Sequence, residues 1–544
     1  MMTHEVTNQP PPLAGYDAWS ADPLLKATVA REGGDWIGAR AGALGPLVGS
    51  ERLQSLAMQA NRFVPELHTH DRFGRRIDAV EFHPAYHELM ATAFGAGLHS
   101  LAWTANRDGA FVARAALNYL WNQLEHGVSC PVTMSFAAAH MLRVAPALAR
   151  DWEAKLVAED YDPRPLPVAV KRAVTIGMAM TEKQGGSDLR ANTTRAIRAG
   201  TDEFRLTGHK WFCSAPMSDA FFTLARTDAG LTCFFVPRSR DDGSRNTFLI
   251  QRLKDKCGNR SNASGEIEYD HTFASLVGEE GRGIPTIIEM AHLTRFDIVI
   301  ANAGFMRALL NQAMHHALHR DAFGRKLASH TLMQNVLADM AIETEAALLV
   351  AFRLARAFDR RTLDPIEAGI ARLLTPIAKY WSCKRVPALA VEAMECLGGA
   401  GYVEENPLSR FYREAPLNSI WEGSGNVICL DVLRSIQKDP DALAALMSAL
   451  DRVAQYDLRL QDHLQNIRRL LTDQAALESR GRLIVEQLAC GVQAALLIEH
   501  APASVATAFC ATRLGAQGGY AFGTLPPDTP CQAILERARL QWEY

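Results

Sequence analysis

The sequence predicts a mainly α-helical protein with a small β domain set between two helical regions, and a further helical segment at its C-terminal end. Three observations predict it. Apolar residues recur at helical spacing from about residue 40 to 175, with Ala-rich stretches such as 111–120. From about 176 to 275 the period shortens toward two, and 204–207 and 232–237 read as strands of β-branched and aromatic residues. From about 283 helical spacing returns and continues, with interruptions, toward the end of the chain.

Bulk properties set limits. The 544 residues suffice for several domains and a large core, and the 48% apolar content is that of a folded globular protein. A net charge of −3 gives no overall pull toward nucleic acid or an anionic membrane. Ten cysteines without a C-x-x-C pair indicate neither a disulfide framework nor a zinc knuckle, and reduced thiols in a cytoplasmic protein are the simplest reading. The start lacks a cationic segment followed by an apolar core, so no secretory signal is expected. No uninterrupted apolar run is long enough to span a bilayer, and no membrane partner is expected.

Residues 1–40 read as an N-terminal arm, extended at Pro10, Pro11 and Pro12. Residues 41–175 form the first helical domain, with a helix break at 129–135. His68 and His70 have no nearby Cys or carboxylate in the pattern of a metal site, so no metal is expected. Residues 176–277 are the middle β domain. There a strand end opens into a loop with two glycines, Gly185 and Gly186, which let backbone approach a ligand closely. Thr181 and Ser187 can donate hydrogen bonds, and Trp211 offers an aromatic face. These features suit a flavin with its diphosphate, and equally a hairpin-rich sheet with a Gly turn.

Residues 278–437 form a helical bundle, with Leu332, Val336, Leu337 and Met340 as one buried stripe and His315, His316 and His319 on a polar helix face. Residues 438–544 add a helical domain. Leu450, Val453, Leu460, Leu464, Ile467 and Leu470 give its stripe, and Arg468, Arg469, Arg480 and Arg482 cluster nearby. That cluster is either a solvated helix face or a phosphate-binding patch.

The run Met180-Thr181-Glu182-x-x-Gly185-Gly186-Ser187-Asp188, followed by Lys210-Trp211-Phe212, resembles the flavin-binding middle domain of acyl-CoA dehydrogenases. Three later stretches, Lys256 to Ser264, Leu397 to Tyr402 and Ile420 to Asn426, match that family in the same order. Asn8-Gln9-Pro10, His83 to His87, Gly208 to Phe212 and Trp421 to Asn426 look like its alkylation-response branch. The resemblance implies the acyl-CoA dehydrogenase fold, with helical domain, β-barrel-like domain and helical bundle, plus a C-terminal helical domain. It also implies non-covalent FAD, a cytoplasmic homotetramer, double-stranded DNA as a partner, protection of DNA from alkylating agents by binding the DNA, by flavin chemistry that inactivates the small-molecule agent, or by both, and at most weak dehydrogenation of isovaleryl-type acyl-CoA. The alternatives are a metabolic short- or branched-chain acyl-CoA dehydrogenase, a nitroalkane-type flavin oxidase, and a binding-only role.

Residue by residue, the resemblance makes Glu422 the base that removes the proton α to a thioester, and Arg295 a residue of the acyl-CoA channel. Thr294 stands where some members carry an alternative base, so that alternative is absent. Thr181 would face the flavin ring and Ser187 its pyrophosphate. Met178, Met180, Gly186, Trp211, Phe212, Cys213 and Ser214 would complete the contacts from the β domain. Arg320, Phe323, Glu395, Gly398 and Gly399 would meet the adenosine end of a flavin held by a neighbouring subunit. Ile420, Trp421, Gly423, Ser424 and Asn426 would flank the base and touch the cofactor, and Arg468, Arg469, Arg480 and Arg482 would hold DNA. Three departures put efficient acyl-CoA turnover in doubt: Cys213 for a Thr, Glu395 for a Gln, and Trp421 for a smaller residue lining the acyl channel.

Overall fold

The computed structural model describes residues 3–542, which form two compact units. One comprises Arg52–Arg107 and Glu125–Thr294; the other comprises the residues up to Glu51, Asp108–Leu124 and the residues from Arg295 onward.

The first unit contains the sheet. Strands β1 (Glu66–His70) and β2 (Arg76–Glu81) form an antiparallel hairpin within a stretch expected to be wholly helical. Its cause is local: the Asp71 carboxylate accepts the N–H groups of Phe73 at 2.8 Å and Arg75 at 2.9 Å, and Gly74 supplies the left-handed turn. His68 pairs with Glu81 across it at 2.9 Å.

Strands β3 (Ile176–Ala179), β4 (Arg195–Arg198), β5 (Glu203–Ser214), β6 (Ala220–Thr227), β7 (Gly230–Pro237), β8 (Phe248–Leu253) and β9 (Ser264–Val277) form a seven-stranded sheet. The order is β3-β6-β4-β5-β9-β7, with β8 on β9 and β6 also paired with β7, so the sheet closes on itself like a barrel. Phe204, Leu206, Phe221, Phe234, Phe248 and Ile267 fill its interior. Each such side chain contributes roughly 1.5–3 kcal/mol by leaving water.

The second unit is helical. Helix α1 (Ala110–Trp121) is buried along its whole length. Helix α2 (Gly283–His319) passes into this unit at Arg295. Helices α3 (Thr331–Arg360) and α4 (Pro365–Leu397) pack on each other, and α4 also packs on α5 (Gly425–Lys438). Within α3, Leu337 and Met340 are buried as expected, but Leu332 is 82% exposed. It sits in the first turn of the helix, before the stretch that packs on neighbours, which corrects the stripe at its start.

The C-terminal stripe belongs to two helices, α6 (Pro440–Ala454) and α7 (Leu458–Thr472), rather than one. Asp457 caps the second by accepting the Arg459 N–H at 2.9 Å. Helix α8 (Gly481–His500) is long and apolar enough to cross a membrane by length and composition alone, yet it is mostly buried against α3, α4, α5 and α7. That is the environment of a core helix.

Asp359, near the end of α3, accepts the N–H groups of Phe111 at 2.7 Å and Val112 at 3.1 Å at the start of α1. Burial pushes its carboxyl up to about 6 despite those two bonds. A raised folded-state value means that the native protein holds the proton longer than the unfolded chain does. This contribution to stability is therefore complete below about pH 4 and lost as pH rises through 6. Asp359→Asn should then lose this pH dependence and gain on the parent between pH 4 and 7. Denaturant unfolding at a series of pH values measures it, and parallel stability profiles for the two proteins would refute it.

Candidate active site

In the sheet unit, the loop 180–188 follows β3 and is held from below by Glu182. This carboxylate is fully buried. Its Oε1 accepts from the Thr194 N–H at 3.1 Å, the Thr194 hydroxyl at 2.6 Å and Lys210 Nζ at 2.9 Å. Its Oε2 accepts from the Thr193 N–H at 2.7 Å, the Thr193 hydroxyl at 2.9 Å and Gln184 Nε2 at 2.8 Å. Burial alone would raise this carboxyl, but the Lys210 ammonium and the threonine donors hold it far below the usual carboxylate range. Lys210, also fully buried, donates in addition to the Leu224 carbonyl at 2.8 Å.

The start of the loop above is fixed by two bonds. Asn192 donates to the Met180 carbonyl at 2.9 Å, and the Trp211 N–H donates to the Thr181 carbonyl at 2.8 Å. A Cβ on Gly186 would lie 2.3 Å from the Thr181 hydroxyl, so only glycine fits there. Thr181 and Met180 remain half-buried, Ser187 is exposed and Met178 is buried.

At the end of β5 the pairing with β9 shifts register between Lys210 and Cys213. Lys210 and Cys213 therefore both point inward, although an uninterrupted strand would put them on opposite faces. The Cys213 thiol is fully enclosed in the core with Phe221, Phe248 and Ile267, and burial pushes its pKa up. The side-chain contact with a cofactor expected for Cys213 is corrected by this burial. The flanking residues on the open face are Phe212, 50% exposed, and Ser214, half-buried. One face of Trp211 is taken by Lys254, whose Nζ lies 3.7 Å from the ring centroid.

In the helical unit, Glu422 stands at φ +56°, followed by Gly423 at +102°. A left-handed backbone is rare for a residue with a side chain and persists only where neighbours enforce it. Arg295 Nε donates to the Glu422 carbonyl at 2.8 Å, and the same guanidinium pairs with Asp431 at 2.8 Å. Asp431 also accepts from Arg372 at 2.9 Å. Lys379 Nζ donates to the Trp421 carbonyl at 2.9 Å and the Gly423 carbonyl at 2.6 Å. The Trp421 indole donates to Asn418 Oδ1 at 2.8 Å, and Asn418 donates to Asn302 Oδ1 at 2.7 Å. Ser424 is the N-cap of α5 but makes no side-chain cap bond, so the first amides of that helix keep their donors. Ile420 is 64% exposed, and Asn426 is exposed.

The remaining expected site residues of this unit lie at the surface. Phe323, at φ +53°, tips a hairpin and is 95% exposed; Glu395, Gly398 and Gly399 are exposed at the end of α4. Arg320, half-buried, donates to the Asn8 carbonyl. Asn8 itself donates to the Asp321 carbonyl at 2.8 Å and accepts its N–H at 2.7 Å, so the N-terminal arm clasps the hairpin that carries Phe323.

Each C-terminal arginine has a partner within the chain. Arg468 pairs with Asp451 at 2.5 Å and Arg480 with Asp473 at 3.2 Å. Arg469 donates to Asn466 at 2.7 Å, and Arg482 to Asn426 at 2.8 Å. Two of the four charges are thus locally neutralised, and Arg482 is tied to a residue expected at the cofactor.

A closed β domain set between helical segments, with a buried Glu–Lys pair under a Gly-Gly-Ser loop, defines the acyl-CoA dehydrogenase class of FAD-dependent oxidoreductases acting on CH–CH groups. The middle domain of acyl-CoA dehydrogenase matches residues 177–272 and its C-terminal domain residues 281–437. Residues 8–163 match the profile "Adaptive response protein AidB N-terminal domain". The chain is 45% identical to AidB of Escherichia coli K12 over 95% of both chains. It is 30% identical to acyl-CoA dehydrogenase family member 11 of Caenorhabditis elegans, over 80% of this chain and 73% of that one. The crystal structure of Caenorhabditis elegans ACDH-11 in complex with C11-CoA superposes with a TM-score of 0.86, at 28% identity over 94% of each chain. The chain therefore belongs to the acyl-CoA dehydrogenase family, in its AidB-like branch.

Glu182 and Lys210 both lie in the sequence motifs at 180–188 and 210–212, and their opposite charges are the signal of the pair. Lys379 and Asn418 lie in no motif. A lone lysine in the apolar run 374–381 of a long helix was the clue to a buried cation.

Glu182→Gln would leave Lys210 charged and unpaired in the interior. Breaking a buried pair this way costs about 3–5 kcal/mol. The variant should unfold at lower denaturant concentration and lose the native geometry of loop 180–188. Unfolding curves and proteolysis of that loop measure it; a variant as stable as the parent, with the loop equally protected, would show that the pair does not anchor it.

Proposed function

We propose that this chain binds FAD non-covalently and removes the proton α to an acyl-CoA thioester with Glu422, within a role in the response to DNA alkylation. The observation that carries the chemistry is Glu422 itself, a carboxylate-bearing residue held in a left-handed conformation, with its own carbonyl and those of Trp421 and Gly423 engaged by Arg295 and Lys379.

Each unit by itself carries groups suited to part of a flavin dinucleotide. The sheet unit offers the Thr181 and Ser187 hydroxyls on a loop that Gly186 allows to run close to Thr181, and the Ser214 hydroxyl and flat Phe212 ring at the end of β5. The helical unit offers the free first amides of α5 beside Ser424 and Asn426, a favourable environment for phosphate oxygens. Bound FAD supplies the acceptor for the hydride that leaves the β carbon as Glu422 takes the α proton.

The chain's own residues do the rest. Arg295 and Lys379 hold the loop so that the base keeps its position, and Gly423 supplies the turn after it. Trp421, fixed by Asn418, is a bulky wall beside the base, which favours slow turnover of short, branched thioesters of the isovaleryl type. The exposed Phe323, Leu332 and Tyr402 side chains support a homo-oligomer, read here as a tetramer, with Arg320, Glu395, Gly398 and Gly399 serving the adenosine end of a neighbour's flavin.

Support for the alkylation-response role and for double-stranded DNA as a partner comes from the AidB-like branch, not from surface charge, since Arg468 and Arg480 are paired with acids. A second reading, a metabolic dehydrogenase of longer thioesters, is favoured by the C11-CoA in the nematode relative.

Anaerobic titration of the yellow holoprotein with isovaleryl-CoA and with C11-CoA, beside a duplex-DNA gel shift, separates the two. Slow bleaching with a salt-sensitive DNA shift is expected. Rapid bleaching by C11-CoA without any shift would favour the metabolic reading, and a protein that takes up no FAD would refute both. Glu422→Gln should keep its FAD and lose about 10²–10⁴ in bleaching rate. An unchanged rate would place the base elsewhere.

A further inference from the structure

We propose that Lys379 is the positioning residue of the base: its buried ammonium clamps the backbone on both sides of Glu422 and brings a positive charge beside that residue. This rests on the reading of Glu422 as the base.

Lys379 lies on α4 and is 1% exposed. Its two bonds run to the carbonyls on either side of Glu422, those of Trp421 and Gly423, while Arg295 from α2 takes the Glu422 carbonyl between them. Three consecutive carbonyls are thus held by two cations from two helices. A left-handed φ is unfavourable for a residue with a side chain, and this clamp is what maintains it at Glu422.

The two cations differ in their charge balance. Arg295 is matched by Asp431 of α5, which also binds Arg372 of α4. The hydrogen bonds of Lys379 run to carbonyl oxygens, which carry no net charge. The other ionisable groups near it are Cys383 and Lys384 on its own helix, Arg295 on α2, and Glu422. Lys384 donates to the Ser419 hydroxyl at 2.8 Å, and the Cys383 thiol to the Asn418 carbonyl at 3.1 Å. Of these neighbours, Glu422 is the one carboxylate. Burial pushes the Lys379 ammonium down, and attraction to Glu422 is among the opposing influences. By reciprocity, the ammonium stabilises the carboxylate it attracts, and a base must be ionised to accept the α proton.

Two variants of the holoprotein separate position from charge. Lys379→Gln keeps two N–H donors for the carbonyls and removes the charge; Lys379→Met removes both. The readouts are FAD content, the pH dependence of anaerobic bleaching by isovaleryl-CoA, and hydrogen exchange of the peptide spanning 417–425. Lys379→Gln should keep its FAD and near-parental exchange, while its rate profile moves to higher pH by about one unit, a tenfold loss of ionised base at a given acidic pH. Lys379→Met should add a tenfold or greater rise in exchange across 417–425 and lower rates at every pH. An unmoved profile in Lys379→Gln would overturn the proposal, as would parental exchange in Lys379→Met. If the Met variant fails to fold, the Gln profile decides alone. If neither isovaleryl-CoA nor C11-CoA bleaches the parent, the assignment of the base fails on that result, and exchange at 417–425 still decides whether Lys379 positions the loop.

Discussion

Three consecutive carbonyl groups, those of Trp421, Glu422 and Gly423, take their donors from two buried or nearly buried cations where the chain turns left-handed. A buried carbonyl left unpaired costs about 1–3 kcal/mol, and Lys379 and Arg295 supply the donors that these three need. Those cations can be buried only on helices already packed. That explains why α2 and α4 are long and why α5 returns Asp431 to balance Arg295. Mutual packing of the helices thus supports one short irregular segment, and the proposed base sits on that segment.

The sheet unit repeats the arrangement with the charges exchanged. There a buried carboxylate, Glu182, gathers backbone and hydroxyl donors from Thr193 and Thr194 and an ammonium from Lys210. Its loop carries the hydroxyls and the close glycine approach that a dinucleotide requires. In each unit an irregular segment is fixed by a buried charge of fixed orientation, which leaves the outward side chains of that segment free for a ligand.

Much of this was legible in the sequence where a repeating pattern or an ordered set of motifs existed. The change of period at 176 marks β3, and the return to helical spacing after 283 marks α2. What failed to read were features that depend on one extra residue or on non-local partners. The register shift in β5 turns Cys213 inward, and no periodicity announces a bulge. The stripe 450–470 spans two helices because Asp457 caps a new one, a change of direction that leaves the apolar spacing intact. Arg482, read as part of a surface patch, is bonded to Asn426 from a segment 56 residues away in the chain.

The most direct test of this account is isotopic. Holoprotein incubated with isovaleryl-CoA in D₂O under anaerobic conditions should introduce deuterium at the α carbon, because abstraction by Glu422 and reprotonation from solvent exchange that position. Mass spectrometry of the recovered thioester reads it without requiring net turnover. Deuterium at the α carbon with the parent and its near-absence with Glu422→Gln is the predicted result. Equal incorporation by both, or none by the parent despite bound FAD and bound thioester, would contradict the assignment of the base.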